Sequence, residues 1–404
     1  MTIPSAGEAA TLHFLTRMLG LGLHGTLPAI IVAMFFAPFP LLFTWLVGLL
    51  SLVVLGGGVY LLWAWYVGVL VGTGYLVAGL VMTLLSFLGR WVVLLFHPRG
   101  TDEPHTLDPR SKVTLTRPDG TSLYVEQYGP TDAPAIILTH GAGANRTSWY
   151  YVIRALSDRL QVIVWDMPGL GHSQKPGRGD YSLERHAQDL EAVLGVAGGR
   201  PSILVGHSMG GMVLLTFCRL FPEHLGTRVK GLALVDTTYT NPARTTTASG
   251  FAYAVQKPVL EPLLHLMAWF APAVWLMSWL GYLNGSSHLI GMLCGFAGSQ
   301  TRGQLDLAVR YNPLAWPGVQ AHETLAMFRY DATEVLGSIR IPALVFTGHL
   351  DRLIVPETAV FMRDRLPKGF LKHLEPAGHM AVFERHDRLV SELTTLADEV
   401  LAPA

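Results

Sequence analysis

Between Arg17 and Arg90 the chain runs for 72 residues without a formal charge, and nearly all of it is apolar. A membrane-crossing helix needs about 20 such residues, so this stretch has room for two or three spans. The first is expected from Leu27 to Leu55, bent by Pro38 and Pro40, with a break at Gly56-Gly57-Gly58. A second follows from Val59 to Leu70, and after a weaker Gly72-Thr73-Gly74 interruption the run continues from Tyr75 to Leu88. Beyond Pro98 the pattern changes. A polar linker leads to a hairpin signal, Val113-Thr114-Leu115 and Leu123-Tyr124-Val125 around a Pro118-Asp119-Gly120 turn. Short apolar runs then alternate with helix-length segments: Ala135–Leu138, Val162–Trp165, Ile203–Val205, Leu232–Val235, Leu344–Phe346 and Phe370–Leu374. Continuous apolar runs separated in this way predict parallel strands joined by crossover helices.

One region interrupts the alternation. From Phe251 to Gln300 the chain is rich in Leu, Met and Trp and carries no charge between Glu261 and Arg302. Pro262–Leu283 is long enough for a span, but the strands on either side must share one sheet on one side of a bilayer. An inserted helical lid is the expectation instead. The resulting plan has a membrane region over 1–97, a linker over 98–110, an α/β core over 111–240 and 336–404, and a lid over 241–335.

Composition agrees with the pattern. Half of the 404 residues are hydrophobic and 14% are charged, against about a quarter in an ordinary soluble domain. The first hundred residues hold four charged side chains: Glu8, Arg17, Arg90 and Arg99. The apolar region is far longer than the roughly 7–15-residue core of a cleavable signal peptide. A soluble helical bundle would need a polar outer face, and the region has none. Arg90 and Arg99, with Arg110 and Lys112 beyond them, favour a cytoplasmic catalytic part in a bacterial plasma membrane. Net charge is zero and no basic run exists, which argues against a nucleic-acid partner. Two cysteines, Cys218 and Cys294, exclude a disulfide scaffold.

Gly206-His207-Ser208-Met209-Gly210 matches G-x-S-x-G between a strand and a helical run. Such a tight strand-to-helix turn needs glycines on both sides and exposes the serine hydroxyl at the sheet's edge. A serine is a weak nucleophile until an oriented base takes its proton. Later in the chain come Asp351, just beyond Leu344–Phe346, and His379, after Phe370–Leu374. Both follow strands at the edge where α/β proteins place their sites. Asp236, ending the Leu232–Val235 strand, is the alternative acid. The oxyanion needs two backbone donors, expected from Met209 and from Ala142 in the His140-Gly141-Ala142-Gly143-Ala144 loop. His140, His172, His207 and His349 lie near the same edge without a partner that would make them the base. Asp166 reads as a turn-stabilising residue, Cys218 as core packing and the Asn145-Arg146-Thr147 sequon as accidental. No H-E-x-x-H or paired C-x-x-C spacing occurs, so neither metal nor cofactor is expected.

These motifs, with His140-Gly141, Asp166-Met167-Pro168-Gly169-Leu170-Gly171-His172-Ser173, Gly348–Asp351 and Gly378-His379, resemble the α/β-hydrolase fold superfamily over about Pro109–Leu401. The resemblance implies an eight-stranded, mostly parallel sheet with an antiparallel second strand. It also implies a helical lid between strands six and seven and a Ser-Asp-His triad. With its apolar lid and anchor, the chain is most similar to membrane-bound hydrolases of the monoacylglycerol-lipase type. One departure is Glu384-Arg385-His386, where the family often has proline in place of His386. Ser208 disfavours relatives with an aspartate nucleophile. An esterase or lipase acting on lipophilic esters from the bilayer is the leading expectation. Carbon–carbon, thioester or lactone hydrolysis or perhydrolysis on the same triad is second, and a non-catalytic tethered binding module is third.

Overall fold

The computed structural model describes residues 40–401. It opens with two apolar helices, α1 (Pro40–Tyr66) and α2 (Thr73–Leu95). Within them Leu46–Tyr66 and Thr73–Leu95 are long and apolar enough to cross a membrane, with mean hydropathy 2.2 and 1.9. The part of the expected first span before residue 40, Pro38 included, lies outside the described residues. The expected break at Gly56-Gly57-Gly58 does not occur, because α1 runs straight through it. Gly57 and Gly58 serve packing instead, whereas a Cβ on Gly56 would meet nothing. A Cβ on Gly58 would sit 2.8 Å from the Thr83 hydroxyl of α2, and one on Gly79 would sit 3.0 Å from the Gly58 carbonyl. Small residues let two apolar helices approach this closely, which offsets the helix propensity that glycine forfeits. The chain turns between residues 67 and 72, next to the expected Gly72-Thr73-Gly74 interruption.

The sheet follows. In chain order its elements are β1 (Ser111–Thr116), β2 (Ser122–Tyr128), β3 (Ala135–Thr139), α3 (Tyr150–Leu156), β4 (Gln161–Trp165), α4 (Leu183–Gly195), β5 (Ser202–His207), α5 (Met209–Leu220) and β6 (Val229–Val235). Five longer helices and one short one are then inserted: α6 (Ser249–Val255), α7 (Glu261–Trp269), α8 (Ala271–Leu283), α9 (Ser286–Gly295), α10 (Arg302–Leu314) and α11 (Pro317–Met327). The sheet resumes with β7 (Ala343–Gly348), α12 (Glu357–Arg365) and β8 (Gly369–Leu374), and α13 (His386–Val400) closes the fold. Strand order is β1-β2-β4-β3-β5-β6-β7-β8. β2 is antiparallel to both neighbours, and every pair from β4 onward is parallel. This is the eight-stranded sheet with an antiparallel second strand that the motifs implied.

The continuous apolar runs are buried on both faces. Ile137, Ile163, Leu204, Leu234 and Val345 pack beneath α4, α5 and α12, while Ile136, Val162, Val205, Val235 and Phe346 pack against α3 and α13. Parallel strands need this double cover, which is why they lack polar alternation.

The insertion joins the sheet to the apolar hairpin. Its first part, Ser249–Trp269, meets α8 at a 95° bend, so it is not the straight span that Pro262–Leu283 could have formed by length. α8 packs on both α1 and α2. The Asn284 amide donates to the Ser51 hydroxyl at 2.6 Å, and the Arg90 guanidinium lies 4.7 Å over the Tyr282 ring. The segment expected to be a linker is held to the same body: the Tyr151 hydroxyl donates to the Asp102 carbonyl, and Arg302 N–H to that of Pro98.

Candidate active site

Ser208 is the single residue between β5 and α5, and it takes φ 53° and ψ −121°. A non-glycine residue pays about 1–3 kcal/mol for such a backbone and persists there only when its surroundings enforce it. Here they do. The Ser208 N–H donates to the Val235 carbonyl of β6 at 2.9 Å. A Cβ on Gly206 would lie 2.5 Å from the Gly210 main chain, and one on Gly210 would lie 2.3 Å from the Thr139 carbonyl. Only glycine fits at either place.

The structure brings Ser208, His379 and Asp351 together. His379 Nε2 is 3.0 Å from Ser208 Oγ, and His379 Nδ1 is 2.8 Å from Asp351 Oδ2. The other Asp351 oxygen accepts from the N–H groups of Leu353 and Ile354 at 2.8 and 3.0 Å. With Asp351 accepting the Nδ1–H hydrogen bond, the Nε2 lone pair faces the serine, the arrangement a general base requires. Ser208 is half-buried, whereas His379 and Asp351 are buried.

Asp236, the alternative acid, makes no bond to His379. Its Oδ1 accepts the Gly348 N–H at 2.7 Å, which fixes the end of β7 from which the Asp351 loop departs. Burial, and then the nearby Asp351 charge, push its carboxyl well above the ordinary carboxylate range. Asp236 is therefore a support for the end of β7, and Asp351 is the acid in contact with the imidazole.

The other histidines also find structural work. His207 Nε2–H donates to the His379 carbonyl at 2.9 Å, and burial, followed by His379, lowers its pKa to about 3. His140 is buried; it accepts the Met167 N–H and donates to the Gly141 carbonyl, pinning the start of the glycine loop. Asp166 takes the Arg146 guanidinium and the main-chain N–H groups of Arg146 and His172, as a turn-stabilising residue should. The Asn145 side-chain oxygen caps the following helical turn by accepting from Thr147 N–H at 3.0 Å. Cys218 is packed in the core, its thiol pushed up to about 12 by burial.

Met209 opens α5, where the first-turn N–H groups have no intrahelical acceptor. Neither its N–H nor that of Ala142 is taken by an acceptor among the described residues. Gly141 packs so tightly on the serine that a Cβ there would be 3.2 Å from Ser208 Cβ. Two groups in this region make contacts that the sequence did not reveal. Buried Glu384 accepts from Gly378, Ala297 and Ser299, tying the turn that carries His379 to the chain just beyond α9. Glu323, on α11, accepts from Gly143 at 3.2 Å. Glu323 lies 180 residues from Gly143, and Glu384 joins Gly378, six residues before it, to chain 85 to 87 residues away; no local motif records the distant contacts.

Above Ser208 lies a cavity of about 400 Å³. Its floor is Ser208, His379 and the Gly141–Ala144 loop, and the insertion supplies apolar walls including Leu260, Leu263, Leu264, Met267 and Phe328. The outer side of the same helices is apolar too: Trp269 is 77% exposed and Phe270 52%, with Leu266, Trp275 and Leu276 exposed beside them. About half of the apolar residues expected on the insertion thus pack inward, and the rest face out.

Comparison with known proteins places these features. The family model of the alpha/beta hydrolase fold matches residues 134–386. Lipase 1 of Psychrobacter immobilis is 25% identical over 280 residues, 68% of this chain and 80% of that protein. An uncharacterised protein of Mycobacterium tuberculosis is 42% identical over 90 residues, a stretch covering 22% of this chain but only 26% of that protein. A thermophilic esterase from Thermogutta terrifontis superposes with a TM-score of 0.58 at 24% identity, covering 72% of this chain and all of the esterase. The chain belongs to the α/β-hydrolase fold family.

Proposed function

We propose that this protein is a membrane-anchored serine hydrolase that cleaves carboxylic esters of lipophilic acyl chains, such as monoacylglycerol-like lipids. The observation that carries the reading is the hydrogen-bonded series Ser208–His379–Asp351 at the floor of an apolar cavity. His379 takes the Ser208 proton as Oγ attacks the ester carbonyl. Asp351 orients the imidazole and stabilises its charged form. The N–H groups of Ala142 and Met209 receive the oxyanion. His379 then protonates the departing alcohol, and water attacks the acyl-enzyme with His379 again as base.

The cavity supports the acyl specificity. It has few groups that could hydrogen-bond a polar chain, and 400 Å³ lies within the usual range for a small-molecule site. The two apolar helices and the exposed aromatic corner of the lid support a bilayer as partner and source of substrate. The cationic residues after the hairpin favour a cytoplasmic catalytic domain.

The test is turnover of p-nitrophenyl esters of increasing acyl length by the detergent-solubilised protein. The proposal expects kcat/KM to rise from acetyl toward medium or long chains. A preference for acetyl esters would overturn the lipophilic specificity. Negligible turnover at every length would move the protein to other chemistry on the same residues.

A further inference from the structure

The mechanism leaves one buried acid unused. Glu323 has no exposed surface, lies on α11 of the lid and points at the loop that carries the Ala142 donor. Its Oε2 accepts the Gly143 N–H at 3.2 Å, and its Oε1 has no partner among the described residues. Gln320, three residues earlier and so on the same helix face, meets the same glycine. A Cβ on Gly143 would lie 3.1 Å from the Gln320 amide nitrogen, and the residue's φ of +65° already demands glycine. The Ala144 N–H returns to the Gly141 carbonyl at 3.2 Å, so residues 141–144 form one tight turn. Holding the Gly143 N–H fixes the peptide plane between Ala142 and Gly143, the next one along from the plane that carries the Ala142 N–H; with the Ala144-to-Gly141 bond closing the turn, this restricts how far that donor can swing.

We propose that Glu323 is a positioning residue: from the lid, its carboxyl clamps the oxyanion loop at Gly143, so that the loop presents its donor only while α11 is seated. The proposal rests on the reading of Ser208 as the nucleophile. Burial pushes the Glu323 carboxyl up to about 8, opposed only by the Gly143 N–H. The titratable groups facing it are Tyr181, from the segment before α4, and His322, its neighbour on α11, whose ring stacks on Tyr181. His265 on α7 acts on His322. No cationic side chain pairs with Glu323 among the described residues. In its neutral form the group accepts the loop's N–H without placing a negative charge beside the developing oxyanion. Above pH 8 that charge appears, and transition-state stabilisation weakens.

The experiment compares full-length wild type, Glu323→Gln and Glu323→Ala in detergent. It follows the rate of labelling by a fluorophosphonate probe, and kcat and KM for a p-nitrophenyl ester, from pH 6 to 10. Glu323→Ala frees the loop and is expected to lose about ten- to a hundredfold in labelling rate and kcat, with KM changed less than about threefold. Glu323→Gln keeps the acceptor. It is expected to restore both rates at pH 7 to within about threefold of wild type and to abolish the fall near pH 8. Glu323→Ala as fast as wild type would overturn the proposal, as would Glu323→Gln with the wild-type pH profile. If Glu323→Ala does not fold, the profile of Glu323→Gln decides alone. Wild-type protein that is not labelled at all would instead overturn the nucleophile on which the proposal rests.

Discussion

Two aspartates end neighbouring strands, and their surroundings give them different work. Asp351 accepts from His379 and two backbone N–H groups; Asp236, buried and with its pKa raised by burial, accepts from Gly348. Asp351→Asn should therefore lower kcat by about 10⁴-fold, because the imidazole loses the acceptor that fixes its tautomer. Asp236→Asn retains an acceptor for Gly348 and should cost less than about tenfold. Equal losses in steady-state kinetics of the two variants would contradict this division. Glu323 carries a stability prediction of its own. Its folded pKa of about 8 lies above the 4.5 of an ordinary glutamate, so between these pH values the unfolded chain releases a proton that the folded protein keeps. Stability contributed below pH 4.5 is lost as pH rises through that window, at up to about 1.4 kcal/mol per pH unit. Thermal melts from pH 5 to 8 should show Glu323→Gln gaining on wild type as pH rises; parallel curves would contradict the buried, neutral acid. Ser208, His379, Asp351 and the glycine loop were legible in the sequence because strand ends and fixed spacings mark them. Glu323, Glu384 and the bond from His207 to the His379 carbonyl were not, since each depends on contacts that only the folded chain creates.

Elements were read more securely than their interruptions. The central strands declared themselves as apolar runs bounded by polar residues, because both faces of a parallel sheet are covered. Gly56-Gly57-Gly58 misled for a physical reason: glycine's low helix propensity suggests a break, but a close-packed helix pair also selects glycine. Context decides between the two, and here Thr83, Met82 and Gly79 supply it. Replacing Gly58 by Val should force α1 and α2 apart, costing about 1–3 kcal/mol. A lower melting temperature of the variant in detergent checks this; an unchanged one would show that the close approach does not support the fold. The helical insertion was legible as an uncharged Leu/Met/Trp stretch, but not its 95° corner, which arises where α7 ends at Trp269 and α8 begins at Ala271.

At the scale of the whole molecule, the apolar surfaces lie on joined elements. The hairpin of α1 and α2 packs on α8, and α8 continues from the exposed Trp269-Phe270 corner. On the proposed reading, the insertion seated against two membrane-crossing helices would bring the cavity close to lipid, an arrangement from which a short, soluble ester gains nothing. The double variant Trp269→Asp with Phe270→Asp should lose at least about tenfold in turnover of a vesicle-borne long-chain ester, while retaining turnover of a soluble short-chain ester. Equal losses on both substrates would place the corner in the fold's own packing.

The expectations about activity all depend on an activated Ser208. The most direct measurement is the intact mass of the purified protein after exposure to a fluorophosphonate probe, with the modified peptide identified and Ser208→Ala run in parallel. The account predicts one adduct per chain, located on Ser208 and absent from the variant. Folded wild-type protein that stays unmodified, or an adduct that persists in Ser208→Ala, would contradict it.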